Sequence, residues 1–77
     1  MMPVRRLEAE EVVPLRPGTH LAYIGPQTRA LKTGTIYTVK DSCKYSRDGE
    51  WKHVVRFNEM YGYFDYSFFG IPLYPIG

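Results

Sequence analysis

The sequence contains a single cysteine, Cys43, in 77 residues, so no intramolecular disulfide can form. A structural metal is not expected either, because Cys43, His20 and His53 do not have the spacing of a zinc site. A chain of this length is one domain, and it buries only about 60% of the surface that its unfolded chain exposes. The core must therefore come from bulky side chains alone, and we expect no cofactor.

Long apolar runs are missing as well. No segment approaches the ~18 apolar residues of a membrane helix, and the opening stretch MMPVRRLEAEEVV has no apolar run of signal-peptide length. A lone thiol fits a reducing compartment. We therefore predict a cytoplasmic protein that makes no membrane contact; if the chain is phage-encoded, the compartment is the host cytoplasm.

Catalytic patterns are equally scarce. The segment GPQTRALKTG lacks the Gly-Lys-Ser/Thr ending of a phosphate-binding loop, and the eight carboxylates suggest no paired acid and base. Cys43 and His53 could form a nucleophile and its base, but no third, orienting group is evident. The alternative is that Cys43 is a small buried group packed beside His53. We predict that the protein is not an enzyme and has no small-molecule substrate.

Aromatic residues are abundant: seven Tyr, four Phe and one Trp make up 16% of the chain. Each buried ring removes roughly 150–250 Å² from water, which suits a domain with few core positions. After Pro14 the chain shows short β-rich runs between turn signals and no helical repeat. The predicted strands are residues 20–24, 33–40 continuing through 42–45, 51–57, 61–66 and 71–76, with YSFFG as a 3₁₀ turn.

These runs predict an all-β domain of five strands over residues 18–77. Residues 1–17 differ in composition and are predicted to form an N-terminal arm. The arm is either extended or a short helix after Pro3, since proline is tolerated in the first turn of a helix.

The turn SRDGE allows two registers for the central hairpin. A two-residue turn, Asp48-Gly49, would put lysines on the apolar face of the second strand. A three-residue turn with Gly49 in a G1 bulge makes that face nearly apolar throughout, so we favour it. Its one flaw is Asp41, which would point inward unless a bulge lies nearby. The favoured pairs are Tyr45 with Trp51, Cys43 with His53 and Val39 with Phe57.

The favoured register also groups cations on the outer face of the hairpin. Residues 27–58 hold seven basic side chains against three acidic ones. A basic ribbon beside aromatic residues is typical of small barrels that bind nucleic acids. Ordinary solubilising charge on exposed strands is the alternative interpretation. The candidate nucleic-acid contacts are Lys40, Lys44, Arg47, Lys52 and Arg56.

The stretch YIGPQTRALKTGTIYTV, residues 23–39, resembles a small protein type common in Firmicutes and their phages. The resemblance covers about residues 18–70 and implies a compact SH3-like β-barrel, with which the count of five strands agrees. It implies no shared catalytic residues. The matching positions are Tyr23, Ile24, Gly25, Leu31, Gly34, Tyr37, Val39, Val55, Phe64, Tyr66 and Phe69.

The segment MYGYFDYSFFG, residues 60–70, has alternating aromatic residues. If Phe64, Tyr66 and Phe68 point inward, Tyr61 and Tyr63 point outward together with Asp65. Tyrosine is favoured at protein interfaces, although cross-strand aromatic pairs can also serve only to stabilise a sheet. The candidate protein contacts are Tyr61, Tyr63, Asp65 and Tyr74.

We therefore predict a non-catalytic binding module, a phage-encoded accessory protein that docks on a host or viral protein and modulates it. The alternative is a small nucleic-acid-binding β-barrel that uses the basic hairpin face.

Overall fold

The computed structural model describes residues 3–73, which form one antiparallel β-sheet of six strands in the order β1-β6-β2-β3-β4-β5. The prediction of an all-β domain is confirmed. In chain order the elements are β1 (Val4–Arg6), the 3₁₀ turn η1 (Ala9–Glu11), β2 (His20–Tyr23), β3 (Ile36–Arg47), β4 (Glu50–Phe57), β5 (Met60–Asp65), the 3₁₀ turn η2 (Tyr66–Phe68) and β6 (Phe69–Pro72).

The predicted count of five strands is wrong, because the segment predicted as an N-terminal arm supplies a sixth. Strand β1 lies in that segment and pairs with β6, with Arg5 opposite Ile71. Leu7 and Val12, which follow β1, are buried in the core. Among residues 3–73, β1 and β5 are the two edges and do not pair with each other, so the sheet is open.

The turn η1 is tied to β1 by a bidentate ion pair. Both terminal nitrogens of Arg5 donate to the Glu11 carboxylate, at 2.9 and 2.8 Å, and the Glu8 N–H donates to Glu11 Oε1 at 2.9 Å. The hydrogen bonds from Arg5, and then from Glu8, lower the pKa of Glu11 from its usual 4.5 to about 2. The carboxylate therefore stays ionised in the folded protein at pH values where it is protonated in the unfolded chain.

This lowered pKa predicts how Glu11 contributes to stability as the pH changes. Because the unfolded chain binds the proton more readily, the contribution of Glu11 is fully present above about pH 4.5 and is lost as the pH falls towards 2. We expect thermal unfolding to show a lower midpoint for Glu11→Gln than for the wild type at pH 6, and equal midpoints near pH 2. A midpoint difference that stayed constant from pH 6 to pH 2 would contradict this role.

Strand β3 runs through both halves of the sheet and is bent by a bulge. Its first residues pair with β2, and from Val39 onward it pairs with β4. The register shifts between Val39 and Asp41, which leaves Lys40 as the extra residue. The predicted bulge near Asp41 is thus confirmed. Asp41 lies opposite Arg56, and Arg56 Nε donates to Asp41 Oδ1 at 2.7 Å, so the carboxylate lies outside the core.

Strands β3 and β4 are joined by the two-residue turn Asp48-Gly49. Both residues have positive φ, 53° and 78°, as a type I′ turn requires. The predicted three-residue turn is therefore wrong, and residues 41–47 are shifted by one position relative to that prediction. The predicted pair Val39↔Phe57 is nevertheless present, because the extra residue at the bulge offsets the shorter turn.

The core is centred on Phe69. Its ring centroid lies 4.7 Å from that of Phe57, 5.5 Å from that of Tyr23 and 6.4 Å from that of Phe64. These contacts join β6 to β2, β4 and β5. The fully buried side chains are those of Val12, Leu21, Val39, Val55, Phe57 and Phe69.

The aromatic segment follows the predicted alternation only as far as Tyr66. Phe64 and Tyr66 are half-buried against the core, as predicted. Phe68, also predicted to point inward, is 44% exposed, and Phe69 occupies the core instead with no exposed surface. The reason is η2, the predicted 3₁₀ turn, which interrupts the two-residue period of the strand.

Candidate functional site

The β3–β4 hairpin extends beyond its neighbours in the sheet. Strand β2 pairs with residues 36–38 of β3, and β5 pairs with β4 between Val54 and Phe57. Within the described part of the chain, residues 44–53 thus pair only with each other. Because directly opposed residues share a face and neighbours alternate, this part of the hairpin presents two distinct faces.

We define the two faces by the observed register. The inner face continues the core side of β4, which carries Val55 and Phe57. The outer face is the opposite side. The inner face consists of Ser42, Lys44, Ser46, Trp51 and His53. The outer face consists of Asp41, Cys43, Tyr45, Arg47, Glu50, Lys52, Val54 and Arg56, together with Tyr63 and Asp65 of β5.

A shallow apolar pocket of about 350 Å³ lies on the outer face. Four side chains line it, two of them tyrosines that stand clear of the core: Tyr63 is 63% exposed, and Tyr45 is also exposed. The pocket crosses three strands, because Tyr45 and Cys43 belong to β3, Val54 to β4 and Tyr63 to β5. The two tyrosine rings, one on β3 and one on β5, form an apolar surface together with Val54 of the strand between them, and this surface can receive a partner's side chain.

The charges beside this pocket are paired. Arg56 binds Asp41 through two nitrogens, and these hydrogen bonds lower the pKa of the Asp41 carboxyl and raise that of Arg56. The Arg56 guanidinium carbon also lies 5.4 Å from the centroid of the Tyr63 ring. Lys52 Nζ lies 3.5 Å from Glu50 Oε2 on the same face. Arg56 therefore contacts both Asp41 and the face of the Tyr63 ring.

Of the predicted tyrosine patch, Tyr61 and Tyr63 are exposed but do not lie in one continuous site. Tyr61 is fully exposed, as predicted, and lines a separate depression of about 290 Å³ beside the β4–β5 turn, together with Lys40 and Glu59. Asp65 Oδ1 accepts hydrogen bonds from Ser67 N and Ser67 Oγ, so Asp65 caps η2. Tyr74, the fourth predicted contact, lies outside the described residues.

The predicted basic ribbon does not exist as one surface. In the observed register Lys44 lies opposite His53 on the inner face, whereas Lys52 lies opposite Tyr45 on the outer face. Lys40 is the bulge residue, and Arg56 is engaged with Asp41. The grouping was wrong because it followed from the three-residue turn, and a one-residue shift moves each side chain to the other face.

Sequence reasoning missed three members of the outer pocket, Tyr45, Cys43 and Val54. Tyr45 and Cys43 were assigned to the core side by the three-residue turn. The signal that would have found them is the Asp-Gly dipeptide itself, which is typical of two-residue type I′ turns.

Cys43 and His53 are not neighbours, which contradicts the prediction. Cys43 is exposed and lies opposite Val54 on the outer face. His53 lies on the inner face, where its ring centroid is 5.8 Å from that of Tyr66. Both interpretations of the pair, as a nucleophile with its base and as a buried packed pair, are therefore wrong.

The exposure of Cys43 gives a direct test. We expect the Cys43 thiol of the native protein to react with a thiol reagent at a rate within about tenfold of that of the unfolded chain, because the thiol can be reached without unfolding of the core. We also expect Cys43→Ser to change the free energy of unfolding by less than about 0.5 kcal/mol, as for other surface substitutions. A thiol that reacted only after denaturant was added would contradict the observed register.

The described residues hold no group of three or more His, Cys, Asp or Glu side chains that could bind a metal ion. Nor does that part of the chain include a helix long and apolar enough to cross a membrane. Comparisons with protein-family models, curated proteins and solved structures gave no match to this chain.

Proposed function

We propose that the protein is a non-catalytic module that binds another protein through the outer face of the β3–β4 hairpin. The observation that carries this proposal is the shallow pocket lined by Tyr45, Tyr63, Val54 and Cys43. Tyrosine and arginine are enriched in protein interfaces, which place apolar contacts at the centre and polar groups at the rim. The pocket and its paired charges have this arrangement.

Charge balance favours a protein partner over a polyanion at this face. Three basic residues of the outer face, including Arg56, are matched by three acidic ones, including Asp41. Such a surface exerts little net attraction on phosphates. The Arg56 contact holds the Tyr63 ring before a partner arrives, so less side-chain entropy is lost on binding.

We propose further that the sheet is an open variant of an SH3-like barrel. The order β6-β2-β3-β4-β5 and the 3₁₀ turn before β6 support this assignment. So does the burial of six residues that carry the resemblance, namely Tyr23, Leu31, Tyr37, Val39, Val55 and Phe69. From that resemblance we propose an accessory role in which a phage-encoded protein modulates a host or viral protein.

The experiment that tests the protein-binding proposal is capture from a nuclease-treated bacterial lysate by three immobilised proteins. These are the wild type, the double variant Tyr45→Ala/Tyr63→Ala, and Trp51→Ala as a control on the inner face. We expect one protein to be retained by the wild type and by Trp51→Ala but not by the double variant.

The captured protein is then purified and titrated against each single variant. Tyr45→Ala and Tyr63→Ala should each weaken binding by more than about 1 kcal/mol, roughly fivefold in Kd, with little dependence on salt. Equal capture by the wild type and the double variant would contradict the proposal.

A further inference from the structure

The inner face of the hairpin differs in chemistry from the outer face. Its largest side chain is Trp51, the one tryptophan of the chain, which is 61% exposed. Lys44 Nζ lies 4.9 Å from the centroid of the indole ring. An exposed indole with a cation beside it offers a flat apolar surface and a positive charge within a few ångströms of each other.

The aromatic surface continues from Trp51 towards the body of the domain. His53 follows on the same face about 6.6 Å along the strand, and its ring meets that of Tyr66 edge-on at 5.8 Å. Tyr66 in turn lines a depression of about 140 Å³ together with Arg6 of β1. Trp51, His53 and Tyr66 thus form a row of three rings with Lys44 at one end and Arg6 at the other.

This row carries an excess of positive charge where it is most exposed. None of the five inner-face residues is acidic, and Lys44 is their one lysine. At the other end Glu8 also lines the depression beside Arg6. The positive charge is therefore concentrated at Trp51, whereas the outer face of the same hairpin is charge-balanced.

We infer that the inner face binds single-stranded nucleic acid. Bases would stack on Trp51, His53 and Tyr66, and Lys44 and Arg6 would contact the backbone phosphates. Rows of aromatic rings beside cations are the general means of binding single strands without sequence preference, because every base has a π-face. A duplex hides those base faces. This activity goes beyond the proposed protein contact, since it uses the opposite face of the hairpin and a different partner.

The test measures fluorescence anisotropy of a labelled oligothymidylate of about 15 nucleotides, within the usual footprint of one small barrel. The wild type is compared with Lys44→Glu, Lys52→Glu and Trp51→Ala, each first shown by thermal unfolding to be folded. Lys44 and Lys52 occupy neighbouring rungs of the hairpin on opposite faces. Their reversals change the net charge equally, so only position distinguishes the two variants.

We expect the wild type to bind the single strand in preference to the same sequence in a duplex. Trp51→Ala should raise Kd about 5- to 150-fold, the range for loss of one stacked base. Lys44→Glu should also weaken binding and reduce the salt slope by about 0.7, as expected for one lost phosphate contact on a single strand. Lys52→Glu should leave the salt slope unchanged.

Three results would overturn the inference. One is equal weakening of binding by Lys44→Glu and Lys52→Glu, which would show general electrostatic attraction rather than binding at the inner face. Another is no binding of the oligonucleotide by the wild type at low salt. The third is dissolution by Trp51→Ala of a dimer seen by sedimentation, which would make the inner face a contact between copies. None of these results affects the capture of a protein through Tyr45 and Tyr63. The proposed function and the binding of single strands are therefore tested independently.

Discussion

Replacing Phe69 with alanine should lower the free energy of unfolding by about 3–5 kcal/mol, the usual range for a buried phenylalanine. Phe69 has no exposed surface, and its ring contacts those of Tyr23, Phe57 and Phe64 on three other strands. Alanine would leave a cavity where these rings meet. Because a domain of this size has a marginal core, we expect Phe69→Ala to be largely unfolded at 37 °C.

The neighbouring residue supplies the control for this prediction. Phe68 has the same side chain but is 44% exposed, with its centroid 6.4 Å from that of Tyr23. We expect Phe68→Ala to lower the free energy of unfolding by on the order of 1 kcal/mol or less. Urea unfolding of both variants measures the two changes in the free energy of unfolding. If Phe68→Ala were the more damaging substitution, the placement of η2 and β6 would be wrong.

The second large effect concerns the N-terminal segment. Leu7 is buried among the core residues, and its N–H donates to the Phe69 carbonyl at 3.3 Å. Leu7→Ala should lower the free energy of unfolding by about 2–5 kcal/mol, as for other buried leucines. Val13, six residues later, is half-exposed, and Val13→Ala should change stability by no more than about 0.5 kcal/mol.

Urea unfolding again measures both variants. A Leu7→Ala protein as stable as the wild type would show that residues 1–17 are an arm outside the core, as the sequence suggested. Loss of stability in Leu7→Ala alone would show that this segment belongs to the folded domain.

Local signals predicted most of the strands. The runs HLAYI and WKHVVRF lie between turn residues and are rich in β-branched and aromatic residues. They form β2 and β4, with Val55 and Phe57 facing the core as the alternation indicates. The bulge at Lys40 could also be inferred, because an unbroken ladder would have buried the Asp41 carboxylate.

The register of the hairpin could not be fixed in this way. A three-residue turn without a bulge and a two-residue turn combined with a bulge at Lys40 both bring Val39 opposite Phe57. The apolar pattern near the core is therefore the same for the two arrangements, and they differ in the face that residues 41–47 occupy. Residues 43–47 are all exposed, so burial provides no further signal about which face Lys44 or Tyr45 occupies.

Strand β1 was missed for a different reason. It has three residues, and its partner β6 lies at the opposite end of the chain. A pairing over that sequence distance leaves no turn signal and no local periodicity. Arg5 and Arg6 also make the segment look like a solvated tail, although Leu7 immediately after them enters the core.

The candidate site was predicted in part. The outward orientation of Tyr61 and Tyr63 followed from alternation within β5, and both are exposed. The pocket beside Tyr63 depended on cross-strand neighbours, and therefore on the register. The Asp41–Arg56 pair, whose arginine contacts the Tyr63 ring, could be predicted only if both the bulge and the two-residue turn were known.

The position of Cys43 allows the most direct test of the central claim, that the outer face binds a protein. Cys43 is the one cysteine of the chain and lines the outer pocket, so a photoreactive maleimide attached to its sulfur would lie at the proposed interface. The matched control moves the thiol to the inner face of the same strand, as Ser46→Cys in a Cys43→Ser background. Both labelled proteins are irradiated in nuclease-treated lysate.

We expect a specific protein adduct from Cys43 and no such adduct from the Ser46→Cys control. An excess of unlabelled wild type should reduce the yield of the Cys43 adduct. An excess of the unlabelled double variant Tyr45→Ala/Tyr63→Ala should not reduce it. An adduct of equal yield from both positions, or one from Ser46→Cys alone, would contradict binding through the outer face.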